Sequence, residues 1–247
     1  MKFLKDILGR IFALWATLWF VISMLVVIIP ILIIGIWEEP KRTIYLCNIL
    51  RGWMDFYFLI TGMRLQKKGM EYFEKGKTFI VVCNHNSLID IPVSTPTIPG
   101  ASKTIAKIEI SRIPIFGLIY KRGSVLVDRK NDESRKTSYL KMREVLDLGI
   151  HMCIYPEGTR NKTSEPLQRF HNGAFSLAVE TGHAILPAVI FNSTQILPNN
   201  KSFYFWPGKM KMHFLPPVSP DSLTVEQLKE KIFNQMKEYY VQHRSNN

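Results

Sequence analysis

Little in this chain suits disulfide or metal chemistry. Its 247 residues include three cysteines, Cys47, Cys83 and Cys153, with no C-x-x-C spacing, and two of them lie inside apolar strand-like runs. They are expected to be reduced packing residues, which excludes a disulfide framework or a zinc site. His151, His171, His183, His213 and His243 have no ligand-like spacing, so no metal site is expected. There is no internal repeat, no low-complexity stretch and no G-x-S-x-G nucleophile elbow. Acidic residues are scarce as well, with 20 Asp and Glu against 32 Lys and Arg, a net charge of +12. That balance favours anionic partners such as phosphate-bearing ligands, anionic headgroups or nucleic acid. The basic residues are dispersed and carry no nucleic-acid fold signature, so nucleic acid is not an expected partner.

What the chain does have is a long apolar run. Ile11–Trp37 is 27 residues without a formal charge, longer than the roughly 20 needed to cross the hydrocarbon core as a helix. It is longer than the core of a signal peptide and lacks a small-residue cleavage site, so it is expected to be retained as a membrane segment. Pro30 and Gly35 interrupt it, and basic residues flank both sides (Lys2, Lys5, Arg10; Lys41, Arg42, Arg51), as a re-entrant hairpin would show. The following stretch, Thr43–Gly62, is apolar but carries Arg51 and Asp55 at i,i+4. An interfacial or partly inserted helix with those two paired is expected, rather than a second span.

After Gly62 the composition becomes that of a globular domain. Strand-like and helix-like segments alternate: a strand at Thr78–Cys83, another at Val125–Val127, a helix from about Asp132 to Leu148, a strand at His151–Tyr155, a helix around Gly173–Thr181 and a strand at Ile185–Phe191. Phe203–Leu215, turning at Pro207-Gly208, reads as a hairpin or edge strands. Thr224-x-x-Gln227 is a capping-box signature opening a last amphipathic helix. The pattern predicts an α/β fold, a mixed β-sheet flanked by helices, behind an N-terminal membrane helix module. The expected divisions are 1–62 (membrane-anchoring helices), 63–219 (catalytic domain) and 220–247 (an amphipathic helix packed on it).

Two turns that follow buried strands carry the chemistry. In VVCNHNSLIDIP (81–92), His85 precedes Asp90 by five residues. An imidazole is the side chain best suited to take a proton from a hydroxyl near neutral pH, and a carboxylate can fix its tautomer and stabilise the imidazolium. The pairing requires His85 to stand outside any helix. Ser87-x-x-Asp90 also matches a capping box in which Asp90 serves only the helix start, and Pro92 favours a start close to Asp90. The second turn, IYPEGTR (154–160), offers Glu157, Gly158, Thr159 and Arg160. Glycine allows close backbone approach, threonine adds a hydroxyl and arginine grips phosphate bidentately. The alternative is an Arg–Glu surface pair.

The order NHNSLID (84–90), KIEISRIPIFG (107–117) with RGSVLVDR (122–129), IYPEGTR (154–160) and ILPAVI (185–190) resembles the four successive blocks of the glycerolipid acyltransferase family, nearest its lysophosphatidate-acylating members. The likeness covers roughly residues 78–191. It implies a catalytic dyad of His85 and Asp90, and acceptor-phosphate binding around Lys107, Arg129, Glu157, Gly158, Thr159 and Arg160. Pro187 is implied in acyl-donor binding or packing. The block SVLVDR departs from many members, which have an aromatic residue or isoleucine before Asp-Arg. The implied reaction is direct transfer of a fatty acyl group from acyl-CoA or acyl-carrier protein to the free sn-2 hydroxyl of lysophosphatidate, giving phosphatidate. No cofactor is expected beyond the acyl-donor substrate. The expected partners are membrane lipids, the lysophospholipid acceptor and the donor, with the catalytic domain on the cytoplasmic face. A different acceptor (glycerol-3-phosphate, another lysophospholipid, an acylated amino acid) or a non-catalytic lipid-binding protein are the alternatives.

Overall fold

The computed structural model describes residues 2–244. Its elements are, in chain order, α1 (Lys2–Ile33), α2 (Lys41–Ile60), β1 (Arg64–Lys68), β2 (Ile80–Cys83), α3 (Asp90–Thr97), β3 (Ser102–Lys107), α4 (Phe116–Gly123), β4 (Ser124–Val127), α5 (Asp132–Asp147), β5 (His151–Ile154), α6 (Gly173–Thr181), β6 (Ile185–Phe191), α7 (Ser193–Ile196), β7 (Lys209–Phe214) and α8 (Val225–His243). The strands form one seven-stranded sheet in the order β1-β7-β6-β2-β5-β3-β4. Among the described strands only the β6–β7 pair is antiparallel. This is a mixed sheet flanked by helices.

The central strands are short apolar runs because both of their faces are covered. Val81 and Cys83 pack toward one layer with Leu46 of α2, Val93 of α3 and Ile119 of α4. Ile80 and Val82 face the other layer, with Val145 of α5, Phe175 of α6 and Ile232 of α8. Pro187 is buried within β6, where a missing N–H would normally break a ladder. Its own carbonyl accepts from Leu215, just past the last residue of β7, so the proline sits where pairing with β7 is ending.

The chain leaves adjacent parallel strands β2 and β5 in opposite directions, toward β3 and toward β6. The helices that follow, α3 and α6, lie on opposite faces. Such a divergence opens a crevice at the carboxyl ends of the two strands, the usual ligand position in open α/β sheets. Both chemistry-bearing turns emerge there.

The N-terminal run continues as helix through Pro30, turns at Ile34–Ile36 and returns as α2. Small residues on one face of α1 (Gly9, Ala13, Ala16, Ser23) allow close approach of its neighbours. The Trp53 indole donates to Ser23 Oγ (2.9 Å) and the Trp15 indole to the Ile60 carbonyl (3.1 Å). The opposite face stays apolar and exposed, including Phe3, Leu14, Leu18 and Val26. At the turn between the helices, Glu39 accepts from Lys103 of β3 (2.7 Å) as well as from Arg42 and Thr43. Burial raises the Glu39 carboxyl, but these hydrogen bonds outweigh it and hold its pKa at about 2.

Two expectations about local structure are corrected. Arg51 does not pair with Asp55, which is exposed. Its guanidinium donates instead to the carbonyls of Pro96 (3.0 Å), Ile98 (2.7 Å) and Gly100, joining α2 to the end of α3. Carbonyls left open by the last turn of a helix attract a fork of N–H groups more strongly than one solvated carboxylate does. Phe203–Leu215 does not form a hairpin. Only Lys209–Phe214 is strand, paired with β6 and β1, while residues 197–206 make an irregular strap against α1.

Candidate active site

Asn84 fixes the point at which β2 ends. Its carboxamide donates to the Ile190 carbonyl (3.0 Å) and accepts from the Ile190 N–H (2.7 Å), so a fully buried side chain substitutes for a backbone rung to β6. The chain then turns, and His85 stands in the loop before α3. His85 Nδ1 lies 3.0 Å from Asp90 Oδ2. Because a carboxylate only accepts, Nδ1 carries the proton and Nε2 is left free as a base. The same Oδ2 accepts from the N–H groups of Asn86 and Ser87, both at 2.6 Å. Asp90 therefore shapes the loop and orients the imidazole through one oxygen. The Tyr155 ring lies 4.5 Å from the imidazole, centroid to centroid.

The Ser87-x-x-Asp90 capping box is not formed. Ile89 occupies the cap position without a side-chain hydrogen bond, and Ser87 Oγ donates to the Leu197 carbonyl (2.6 Å). Asp90 supplies only the half that reaches back to the Ser87 N–H.

The second turn braces the first. Glu157 is buried, with one oxygen accepting from the His85 N–H (2.8 Å) and the other from the Gln168 N–H (3.0 Å). Both oxygens are occupied by backbone, so this carboxyl faces the His85 loop rather than a ligand. Burial pushes its pKa up to about 7, opposed by the two amide hydrogen bonds, with the nearby Asp90 adding to the rise. Gly158 has φ +69° with His171 against it, a site where a side chain would be both strained and crowded. Asn161 closes the arrangement by donating its N–H to the His85 carbonyl (2.6 Å).

The raised carboxyl has a measurable consequence. Folded Glu157 holds its proton more tightly than unfolded Glu157, so its stabilising contribution is complete below pH 4.5 and is lost as pH rises through about 7. The size is about 3 kcal/mol at most, from the unit-by-unit cost of a shifted pKa. Melting curves of wild type and Glu157→Gln should therefore differ most near pH 5 and draw together toward pH 8. A gap that stays constant with pH would contradict this titration.

The basic groups gather at the same edge. Arg129, two residues beyond β4, donates to the Gly158 carbonyl. Burial lowers its pKa from the ordinary guanidinium value, and Glu109 partly opposes that. Lys107 is exposed at the end of β3, in register with Val127 of β4. Thr159 is exposed. Arg160 Nη1 donates to Asn199 Oδ1 (3.2 Å), and Asn199 in turn donates to the Asn86 carbonyl (2.6 Å), one residue from His85. Arg160, Leu88 and Ile89 line a largely apolar cleft of about 650 Å³ that continues along Ala13, Phe20 and Phe116. His85 itself is not part of that wall. A smaller apolar cavity of about 90 Å³ shares Phe20, Ile91 and Phe116 with the cleft.

Asn84, Asn161, Gln168 and Asn199 complete the site without a signal in the sequence. They carry no local motif, and their partners are brought to them only by the fold. His151 is a buried neutral acceptor for the Phe79 N–H, lowered to about 4 by burial. Cys83 and Cys153 are buried free thiols with their sulfurs 3.9 Å apart. Among the described residues no three His, Cys, Asp or Glu side chains are grouped to hold a metal ion.

Comparison with known proteins adds to this geometry. The acyltransferase family model matches residues 64–191. The chain belongs to the acyltransferase family. It is an O-acyltransferase with an apolar N-terminal helix of membrane-anchoring length. It is 31% identical over 191 residues to a 1-acyl-sn-glycerol-3-phosphate acyltransferase of Helicobacter pylori, covering 76% of this acyltransferase and 77% of that one. The alpha form of the Homo sapiens 1-acyl-sn-glycerol-3-phosphate acyltransferase is 28% identical over 201 residues, covering 81% and 70%. The crystal structure of the 1-acyl-sn-glycerophosphate (LPA) acyltransferase PlsC of Thermotoga maritima superimposes with a TM-score of 0.80 over the full length of both chains at 23% identity, so the two share a fold.

Proposed function

We propose that this acyltransferase moves a fatty acyl group from an acyl thioester to the sn-2 hydroxyl of lysophosphatidate, yielding phosphatidate. The observation that carries the reading is the His85–Asp90 pair held beside Arg129 and Arg160 at the carboxyl edge of the sheet. The names of its relatives point to the same acceptor. His85 Nε2 takes the proton of the acceptor hydroxyl as its oxygen attacks the thioester carbonyl. A C–O bond forms and the C–S bond breaks. The imidazolium, stabilised by Asp90, returns the proton to the departing thiolate. The acceptor is itself the nucleophile, so no acyl-enzyme is required. Side chains and two substrates complete the chemistry, with the thioester carried by coenzyme A or an acyl-carrier protein.

Arg160, Arg129 and Lys107 bind the acceptor's phosphate, and the apolar cleft takes lipid tails; its volume suits a ligand pocket. The exposed apolar face of α1 enters the membrane while α2 lies between α1 and the sheet. Basic residues before the apolar run (Lys2, Lys5, Arg10) and after it at the start of α2 (Lys41, Arg42) favour a hairpin that stays on one side, with the catalytic domain on the cytoplasmic face.

Arg160→Ala tests the acceptor assignment. Charge-assisted phosphate contacts are worth roughly 1.5–3 kcal/mol, so the KM for lysophosphatidate should rise by about tenfold to a hundredfold while that for the acyl donor holds. An unchanged acceptor KM in steady-state kinetics would exclude Arg160 from phosphate binding.

A further inference from the structure

We propose that Asn199 is a positioning residue that aims Arg160 at the acceptor while holding it in register with the His85 loop; this rests on the assignment of Arg160 to the acceptor's phosphate. A guanidinium offers five N–H donors, and among the described residues only Nη1 of Arg160 is engaged, by Asn199 Oδ1 at 3.2 Å. Among the described residues no carboxylate pairs with it. A neutral acceptor fixes the plane of the guanidinium without neutralising it, so its remaining donors and its full charge stay available to a phosphate. An acid in this position would compete with the substrate.

The orientation of the Asn199 amide is determined by its other partners. Its Nδ2 donates to the carbonyls of Asn86 (2.6 Å) and Asn161 (3.3 Å), so the oxygen must face Arg160. The side chain thus joins three segments: the loop after β2, the loop after β5 and the strap 197–206.

The strap is anchored on both sides of Asn199. Before it, the Leu197 carbonyl accepts from Ser87 Oγ at 2.6 Å. After it, Lys201 pairs with Asp6, and the Phe205 N–H donates to the Gly9 carbonyl (3.0 Å). Tyr204 lies so closely over Gly9 that any side chain there would displace the ring. Arg160, Asn199 and Tyr204 all line the apolar cleft. Asn199 is exposed, so its replacement removes hydrogen bonds rather than core packing.

The test is steady-state kinetics of the full-length protein in detergent micelles, with lysophosphatidate and the acyl donor varied separately. Asn199→Ala should raise the KM for lysophosphatidate about fivefold, the worth of a hydrogen bond near 1 kcal/mol, and leave the donor KM and the melting temperature close to wild type. Asn199→Asp, of the same size but charged, should raise it further. In an Arg160→Ala background the alanine substitution should change acceptor KM by less than about twofold, because coupled residues lose their separate effects. The inference is overturned by an unchanged acceptor KM in Asn199→Ala, by wild-type acceptor binding in Asn199→Asp, or by equal rises in both backgrounds. If Arg160→Ala itself leaves acceptor KM unaltered, the phosphate assignment fails and takes this inference with it, a result distinct from the other three.

Discussion

His85→Ala is expected to slow acyl transfer by about a hundredfold to ten-thousandfold, the range for a positioned general base. The imidazole is the group in the site that combines a free ring nitrogen with a fixed orientation, given by Asp90 on one side and Tyr155 on the other. Its side chain contributes little to the fold beyond those contacts, because the loop is fastened through backbone. The His85 N–H is bound by Glu157 and its carbonyl by Asn161, and both bonds survive truncation. The variant should therefore melt near the wild-type temperature while losing transfer of a labelled acyl chain. A folded variant retaining activity within about tenfold of wild type would remove His85 from the mechanism.

Asp90→Asn is the second large effect, and the geometry makes it a specific one. Oδ2 receives three donors, from His85 Nδ1 and the N–H groups of Asn86 and Ser87, whereas Oδ1 is buried with no partner among the described residues. An asparagine must turn its oxygen toward the three donors, since an NH2 there would face them. The loop and the histidine tautomer are then kept, the negative charge is lost, and the NH2 takes the unpartnered place of Oδ1. Two unit charges about 4 Å apart interact by about 4 kcal/mol at an effective dielectric of 20, so a fall in kcat of up to about a thousandfold is expected, with a moderate fall in melting temperature from the one buried NH2 left unpaired, at about 1–3 kcal/mol. Asp90→Ala differs, because it leaves two buried amides unsatisfied at about 1–3 kcal/mol each and should destabilise the fold further. Wild-type kcat in Asp90→Asn would mean that the charge plays no part.

The comparison of these two carboxylates shows what the sequence made legible. Asp90 could be paired with His85 because both lie within one turn, five residues apart, and a short segment can hold them together. In the sequence, Glu157 beside Gly158, Thr159 and Arg160 suggests a phosphate clamp, yet its oxygens reach backbone amides of residues 85 and 168. Nothing in E-G-T-R reveals which way its first side chain turns. The sheet was legible for the same local reason: runs such as Ile80–Cys83 and Ile185–Phe191 are too apolar to lie anywhere but between two layers. Residues 203–208 misled because their aromatic content suits a strand. Their actual use is contact with α1, where Phe12 meets Trp206 edge to face (5.6 Å) and Tyr204 covers Gly9. Arg51 misled because the i,i+4 rule weighs only its own helix, whereas the carbonyls that hold it belong to α3 and the residues beyond. Asn199 was invisible for the same reason, joining segments that only the completed fold brings together.

Product mass is the most direct measurement. Purified full-length protein in detergent, given an acyl thioester and a mixture of lysophosphatidate, glycerol-3-phosphate and a neutral 1-acylglycerol, is expected to form phosphatidate ahead of any other acylated product. Accumulation of free fatty acid alone, or acylation of another acceptor in preference to lysophosphatidate, would contradict the proposed reaction.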